Sequence, residues 1–149
     1  MTFGDDGISI RKAMLDDIDQ IKRIADAHKK ELGFVRRPSL LESISRSELL
    51  VAKLDSAVVG FVEYRHRKDG QTTLYNIAVV PKYTRHGVGQ KLVRALVNES
   101  AGLGKTCVCL KCPQDLPSNK FYENLGFQLQ QTEPGKYRQL NIWCWTHLE

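Results

Sequence analysis

Apolar residues recur along this chain with two spacings, and the changes between them mark out its elements. Ile8-Ser-Ile-Arg11 alternates and reads as a first strand. From Asp16 to about Lys30, Ile18, Ile21, Ile24 and Ala25 fall at helical spacing, and Gly33 ends the run. Pro38 can open a second, shorter helix through about Arg46, with Leu40, Leu41 and Ile44 on one side. Glu48 to Leu54 and Ala57 to Arg67 form a hairpin pattern around Asp55-Ser56, and Gln71 to Val80 is the next strand. Val88 to about Ala101 is a helix with Val88, Leu92, Ala95 and Leu96 as its buried stripe. Cys107 to Lys111 reads as a strand, Pro117 to Leu125 as a helix and Phe127 to Glu133 as a strand. Pro134-Gly135 turns into a last strand, Lys136 to Trp145. The order βααβββαβαββ predicts an α+β fold. Its sheet is mixed, mostly antiparallel and six- to seven-stranded, with about four flanking helices. With 149 residues and no internal repeat or linker, a single domain over 1–149 is expected. Such a chain buries about 68–70% of its unfolded surface.

One junction carries more chemistry than the rest. The apolar run Leu74-Tyr-Asn-Ile-Ala-Val-Val stops at Pro81, and a short basic loop with Gly87 and Gly89 leads straight into a helix. First-turn amides of a helix lack internal partners, and the helix dipole places about half a positive charge there. Glycine lets backbone approach an anion without a Cβ between them. Strand, loop and helix N-terminus in this order build a phosphate site, to which Arg85, His86 and Lys91 add side-chain donors. Gly104-Lys105-Thr106 is a decoy for a second one. A P-loop needs a glycine five residues earlier, where Glu99 stands, and it needs the strand before and the helix after. A helix-ending turn is the reading.

The run Ile77-Ala78-Val79-x-Pro81 with Gly87-x-Gly89 resembles the acetyl-CoA signature of the GNAT superfamily of N-acetyltransferases. A second block, Asn119-Lys-Phe-Tyr-Glu-Asn-Leu-Gly-Phe127, resembles that family's later aromatic-Tyr and Gly-Phe motif, and the element order is similar to the GNAT fold. Thr84 departs from the pattern, which usually has Arg or Gln three residues before the first glycine.

This resemblance implies acetyl transfer from acetyl-CoA, as co-substrate and without a metal, to a primary amine by direct attack in a ternary complex. It implies that Arg85, His86, Gly87, Val88, Gly89 and Gln90 hold the pyrophosphate, and that Ile77, Ala78 and Val79 meet the pantetheine amides. The Val79 N–H would face the developing oxyanion, a role worth about 2.7–4 kcal/mol where such a donor is lost. Tyr122 matches the acid that protonates the leaving thiolate; the bland alternative is ring packing beside Phe121 and Phe127. Asn119 either bonds the cofactor or lies in the first turn of its helix. An amine of pKa about 10.4 costs about 4.6 kcal/mol to deprotonate at pH 7, so a base is wanted. The two positions where family members carry a glutamate hold Thr73 and Leu110 here. Glu63 is the remaining candidate, with His66 and Tyr75 behind it, against a reading as an ordinary strand residue. Arg36 and Arg37 fall where the family forms its acceptor lip.

Composition changes this picture little. Lys and Arg total 22 against 17 acids, a net +5 that favours acidic ligands without choosing among a nucleotide cofactor, nucleic acid and anionic lipid. The cluster Arg65-His66-Arg67-Lys68 before Asp69-Gly70 reads first as a solvated hairpin end. No apolar run is long enough to cross a bilayer, and Met1-Thr-Phe-Gly-Asp-Asp lacks a signal-peptide layout, so cytoplasmic residence is expected. Trp143 and Trp145 alternate in the last strand as core or dimer-face residues, leaving a homodimer open. Cys107 and Cys109 share a strand face; buried, inert thiols are expected, with a metal or redox site as the alternative. Two further classes compete with an acetyltransferase. One is a catalytically inactive acyl-CoA-binding regulatory module, suggested by the missing carboxylates; the other is a nucleic-acid-associated protein, suggested by the charge.

Overall fold

The protein is described from a computed structural model over residues 7–147, so the Met1–Asp6 segment read for a leader lies outside the described residues. Backbone contacts divide the chain into two compact units. One holds the chain through Tyr64 together with Asn76–Leu96; the other holds Arg65–Tyr75 and the chain from Val97 onward.

The first unit contains β1 (Ile8–Lys12), α1 (Ile18–Ala27), α2 (Lys29–Leu32), α3 (Arg37–Ser45), β2 (Leu49–Leu54) and nearly all of β3 (Ala57–His66). The end of β4 (Gln71–Val79) and the start of α4 (Val88–Gly102) complete it. β1, β2 and β3 pair antiparallel, with Ile10 opposite Ala52 and Val51 opposite Phe61. Helix residues Ile21, Ile24, Leu40 and Ile44 bury against Val51, Phe61 and Ala78. Each such side chain contributes about 1.5–3 kcal/mol by leaving water.

The first helix is interrupted where the sequence pattern runs on to Lys30. His28 Nδ1 bonds the Ile24 carbonyl at 2.8 Å, the acceptor that a continuing helix would offer to the His28 amide. That amide turns instead to the Ala25 carbonyl at 3.0 Å, and α2 restarts from the His28 carbonyl. Ahead of α1, Asp17 is buried at 2% exposure. Its carboxylate accepts from the Met14 amide at 2.8 Å and from both terminal nitrogens of Arg11 at 3.1 and 3.2 Å.

The second unit contains the start of β4, the end of α4, β5 (Cys107–Pro113), α5 (Ser118–Leu125), β6 (Gln128–Pro134) and β7 (Gln139–Thr146). β4 pairs parallel with β5 from Gln71↔Cys107 to Leu74↔Leu110, and β7 lies antiparallel between β5 and β6. The strand order is β1-β2-β3-β4-β5-β7-β6, a mixed seven-stranded sheet of the α+β class. Among the described residues there are five α-helical segments and two 3-10 turns, Leu15–Asp17 and Pro81–His86. About four helices were expected; the break at His28 accounts for the extra one.

Two local details differ from the sequence reading. The Gly135 amide bonds the Arg138 carbonyl at 2.9 Å, so Lys136 to Arg138 belong to the turn and the last strand starts at Gln139. The expectation of four inert thiols is corrected: Cys109 and Cys144, directly opposite in the β5–β7 ladder, form a disulfide, and only Cys107 and Cys112 remain as thiols.

Candidate active site

Leaving β4, the chain passes Val80 and winds through the 3-10 turn Pro81–His86. Pro81 supplies the fixed φ that suits its first position. Val80 donates to the Val59 carbonyl at 2.8 Å, Tyr83 donates to Val80 at 2.8 Å, and Thr84 Oγ1 donates to Pro81 at 2.9 Å, so the turn is held from inside. Gly87 then takes a φ of +74°, in the left-handed region where an L side chain is strained. The first rung of α4 runs from the Lys91 amide to the Gly87 carbonyl at 3.0 Å. The amides of Val88, Gly89 and Gln90 therefore precede the helical ladder and face the end of the macrodipole that favours anions. Arg85 and His86 are exposed beside them, with the His86 ring edge-on to Tyr83 at 5.6 Å between centroids.

Ile77, Ala78 and Val79 lie upstream on the same segment, beyond the last β4 residue with a β5 ladder partner, Leu74. Glu63 is buried at 7% exposure on β3. Its carboxylate accepts from Ser43 Oγ at 2.6 Å and from Asn76 Nδ2 at 2.8 Å, one donor on each oxygen. These partners escaped the sequence reading, although both left a trace there. Asn76 is the one amide side chain within the apolar run, and Ser43 sits between Leu40 and Ile44 on a buried helical stripe.

In the second unit, Asn119 and Tyr122 are neighbours along α5. Tyr122 is 4% exposed, with its ring edge-on to Phe121 at 5.2 Å and to Phe127 at 5.7 Å. Burial, and secondarily the nearby Cys112, hold its phenol well above the ordinary tyrosine pKa, so it stays protonated through the physiological range. Burial likewise pushes the Cys112 thiol up to about 11. The Asn119 amide is fully engaged in shaping the β5–α5 corner. Nδ2 donates to Pro113, Gln114 and Leu116 at 2.9, 3.2 and 2.8 Å, while Oδ1 accepts from Asn141 and Trp143, each at 2.9 Å. Trp143 is thus a core residue at 6% exposure.

Other residues singled out by the sequence have partners of their own. Both His66 nitrogens are occupied, by Thr72 at 2.8 Å and Glu99 at 2.7 Å, and Tyr75 accepts from Arg67 at 2.8 Å. The Arg65–Lys68 stretch is therefore in part tied down. Arg37 pairs with Asp19 at 2.9 Å, while Arg36 is exposed at the start of α3. Leu110 is buried in β5, so no acidic group stands at that position. Among the described residues no helix is long and apolar enough to cross a membrane, and no group of three His, Cys, Asp or Glu side chains is arranged to hold a metal ion.

A family model described as an acetyltransferase (GNAT) domain matches residues 45–129, more than half of the sequence. The chain belongs to the GNAT acetyltransferase family. Its fold is shared with Ard1 from Thermoplasma volcanium at a TM-score of 0.87 and 22% identity, covering 96% of this chain and 99% of that one. It is shared also with the PaiA N-acetyltransferase from Thermoplasma acidophilum, solved in complex with coenzyme A, at a TM-score of 0.82 and 21% identity over 94% and 99% of the two chains. A third similar structure is the ribosomal-protein-S18-alanine N-acetyltransferase from Escherichia coli, at a TM-score of 0.78 and 19% identity over 93% of each chain. No curated protein sequence matches the chain.

Proposed function

We propose that this protein is an N-acetyltransferase that moves an acetyl group from acetyl-CoA to a primary amine by direct attack in a ternary complex. The observation that carries the reading is the left-handed Gly87 followed by three amides ahead of the first α4 rung, inside the stretch matched by the family model. Those amides, with Arg85 and His86, receive the cofactor's pyrophosphate. Backbone groups of Ile77–Val79, past the β4 ladder with β5, receive the pantetheine amides, and the Val79 N–H faces the thioester oxygen as charge gathers on it. Tyr122, kept protonated by burial, donates to the departing sulfur as the C–S bond breaks. Glu63 takes the proton lost by the attacking nitrogen; each of its oxygens keeps lone-pair capacity beyond the Ser43 and Asn76 bonds. Asn119 acts only through the corner it braces. The family match draws on residues of both units, which supports reading 1–149 as one acetyltransferase domain; a sizing experiment tests for a homodimer.

Isothermal titration with acetyl-CoA, followed by a thiol-release assay over a panel of amines, tests this. Saturable binding and acceptor-dependent release of CoA are expected; no binding at millimolar cofactor refutes the reading. One second reading has its own support. Thr73 and Leu110 carry no carboxylate, and Glu63 already holds two donors, as an acyl-CoA-binding module without turnover would allow. Binding without CoA release for any amine selects that module.

A further inference from the structure

Three of the four cysteines gather on one face of the β5–β7 pair. Cys107 and Cys109 are two residues apart on β5 and so point the same way. Cys144 stands directly across the ladder from Cys109, which places its side chain on that face too. Cys109 and Cys144 are joined, and the Cys107 sulfur lies 3.7 Å from the Cys109 sulfur. A thiol held against a disulfide is the arrangement that exchange chemistry requires, because a thiolate must reach one sulfur of the bond it breaks. Access sets Cys109, buried at 8% exposure, apart from Cys107 and Cys144, which are both half-buried. Cys107 differs from Cys144 in standing outside the disulfide at the start of its strand, where its sulfur receives a weak hydrogen bond from Thr106 Oγ1 at 3.9 Å. Cys112 is 4% exposed, its thiol pushed up to about 11, and takes no part.

We propose that Cys107, Cys109 and Cys144 form a thiol–disulfide exchange site for aliphatic low-molecular-weight disulfides, with Cys107 as the sulfur that receives the incoming group. Starting from three thiols, the Cys107 thiolate attacks the small disulfide, forms a mixed disulfide and expels one thiolate. The Cys109 thiolate then attacks the Cys107 sulfur and expels the second small thiolate. Finally the Cys144 thiolate attacks the Cys109 sulfur, frees Cys107 and leaves the Cys109–Cys144 bond present here. Two protein thiols are oxidised, one small disulfide becomes two small thiols, and the two protons lost by Cys109 and Cys144 go to those thiols. Excess small thiol drives the same steps backward. The site stands apart from acetyl transfer and does not depend on it.

The test uses the full chain, reduced, freed of reductant and exposed to glutathione disulfide. Samples are quenched with acid and mapped by mass spectrometry. The Cys109–Cys144 bond is expected to form, with an early glutathione adduct on Cys107 in the wild-type protein. Cys107→Ser is expected to slow bond formation on the order of tenfold or more, Cys112→Ser to leave the rate unchanged, and Cys109→Ser to accumulate the Cys107 adduct. An early adduct on Cys144 in place of Cys107, an unchanged rate in Cys107→Ser, or no Cys109–Cys144 bond in the wild type each overturns the proposal. Adduct mapping on the wild-type chain needs no variant to fold.

Discussion

Tyr122 illustrates how burial decides a side chain's chemical direction. A phenol at 4% exposure between two aromatic rings cannot ionise cheaply, so at neutral pH it is present as a proton donor and not as a base. Tyr122→Phe keeps the ring packing and removes the donor. Turnover is expected to fall by about 10²-fold or more while acetyl-CoA affinity changes less than about threefold; equal losses in both would make the residue a positioning group. Glu63 presents the complementary case. Glu63→Gln keeps a side chain of the same shape, an acceptor for one of the two donors and no capacity to take up a proton. Cofactor binding by calorimetry should stay within about threefold and kcat should drop by about 10²–10⁴-fold. A kcat within about threefold of wild type would leave Glu63 as a strut between Ser43 and Asn76.

At the scale of elements, the proposed cofactor site and one source of stability both lie where helices begin. Gly87→Glu places a negative side chain, at a backbone angle that disfavours any side chain, beside the opening amides of α4. Loss of measurable acetyl-CoA binding is expected, with secondary structure by circular dichroism retained. The entry to α1 depends on a charge. Burial alone would push the Asp17 carboxyl up, but the Met14 amide, the Arg11 bond and charge, and Lys53 outweigh it and hold the group below its ordinary value. A carboxylate depressed in the folded state stabilises the fold above its unfolded pKa, and that contribution is lost as pH falls through the folded value. Stability measured by urea should therefore decline below about pH 4. Asp17→Asn should cost about 1–3 kcal/mol at pH 7 and flatten that acid limb. Helix and strand order were legible because apolar spacing sets them locally. What stayed hidden depended on side-chain bonds that apolar spacing does not encode: Ser43 and Asn76 on Glu63 and Asn141 and Trp143 on Asn119, all distant in sequence, and the local ring bond to the Ile24 carbonyl by which His28 divides a helix. The turn between β4 and α4 could be read because its glycine and proline act through their own backbone. The placement of Asn119 could not, because its amide is fixed by bonds to the β5–α5 corner and to Asn141 and Trp143 on β7.

At the scale of the whole molecule, one covalent tie, Cys109–Cys144 in the second unit, spans a sequence separation of 35. Closing a loop of that size restricts the unfolded chain, and its reduction should lower stability by about 2–4 kcal/mol. Thermal melts with and without dithiothreitol read this directly, and identical midpoints would show the tie to be thermodynamically silent.

Gly60 on β3 shows how little material sets the position of α4. A methyl group there would stand 3.1 Å from the Ala78 carbonyl oxygen, 3.1 Å from Val88 and 3.3 Å from Leu92. The helix rests against the strands across a vacancy one carbon wide. Exchanging that glycine for alanine would push the front of α4 off its seat by a few tenths of an ångström, with Ala78 moving as well. On the proposed reading, acetyl-CoA affinity would then respond to a substitution on β3, one strand away from the helix opening itself.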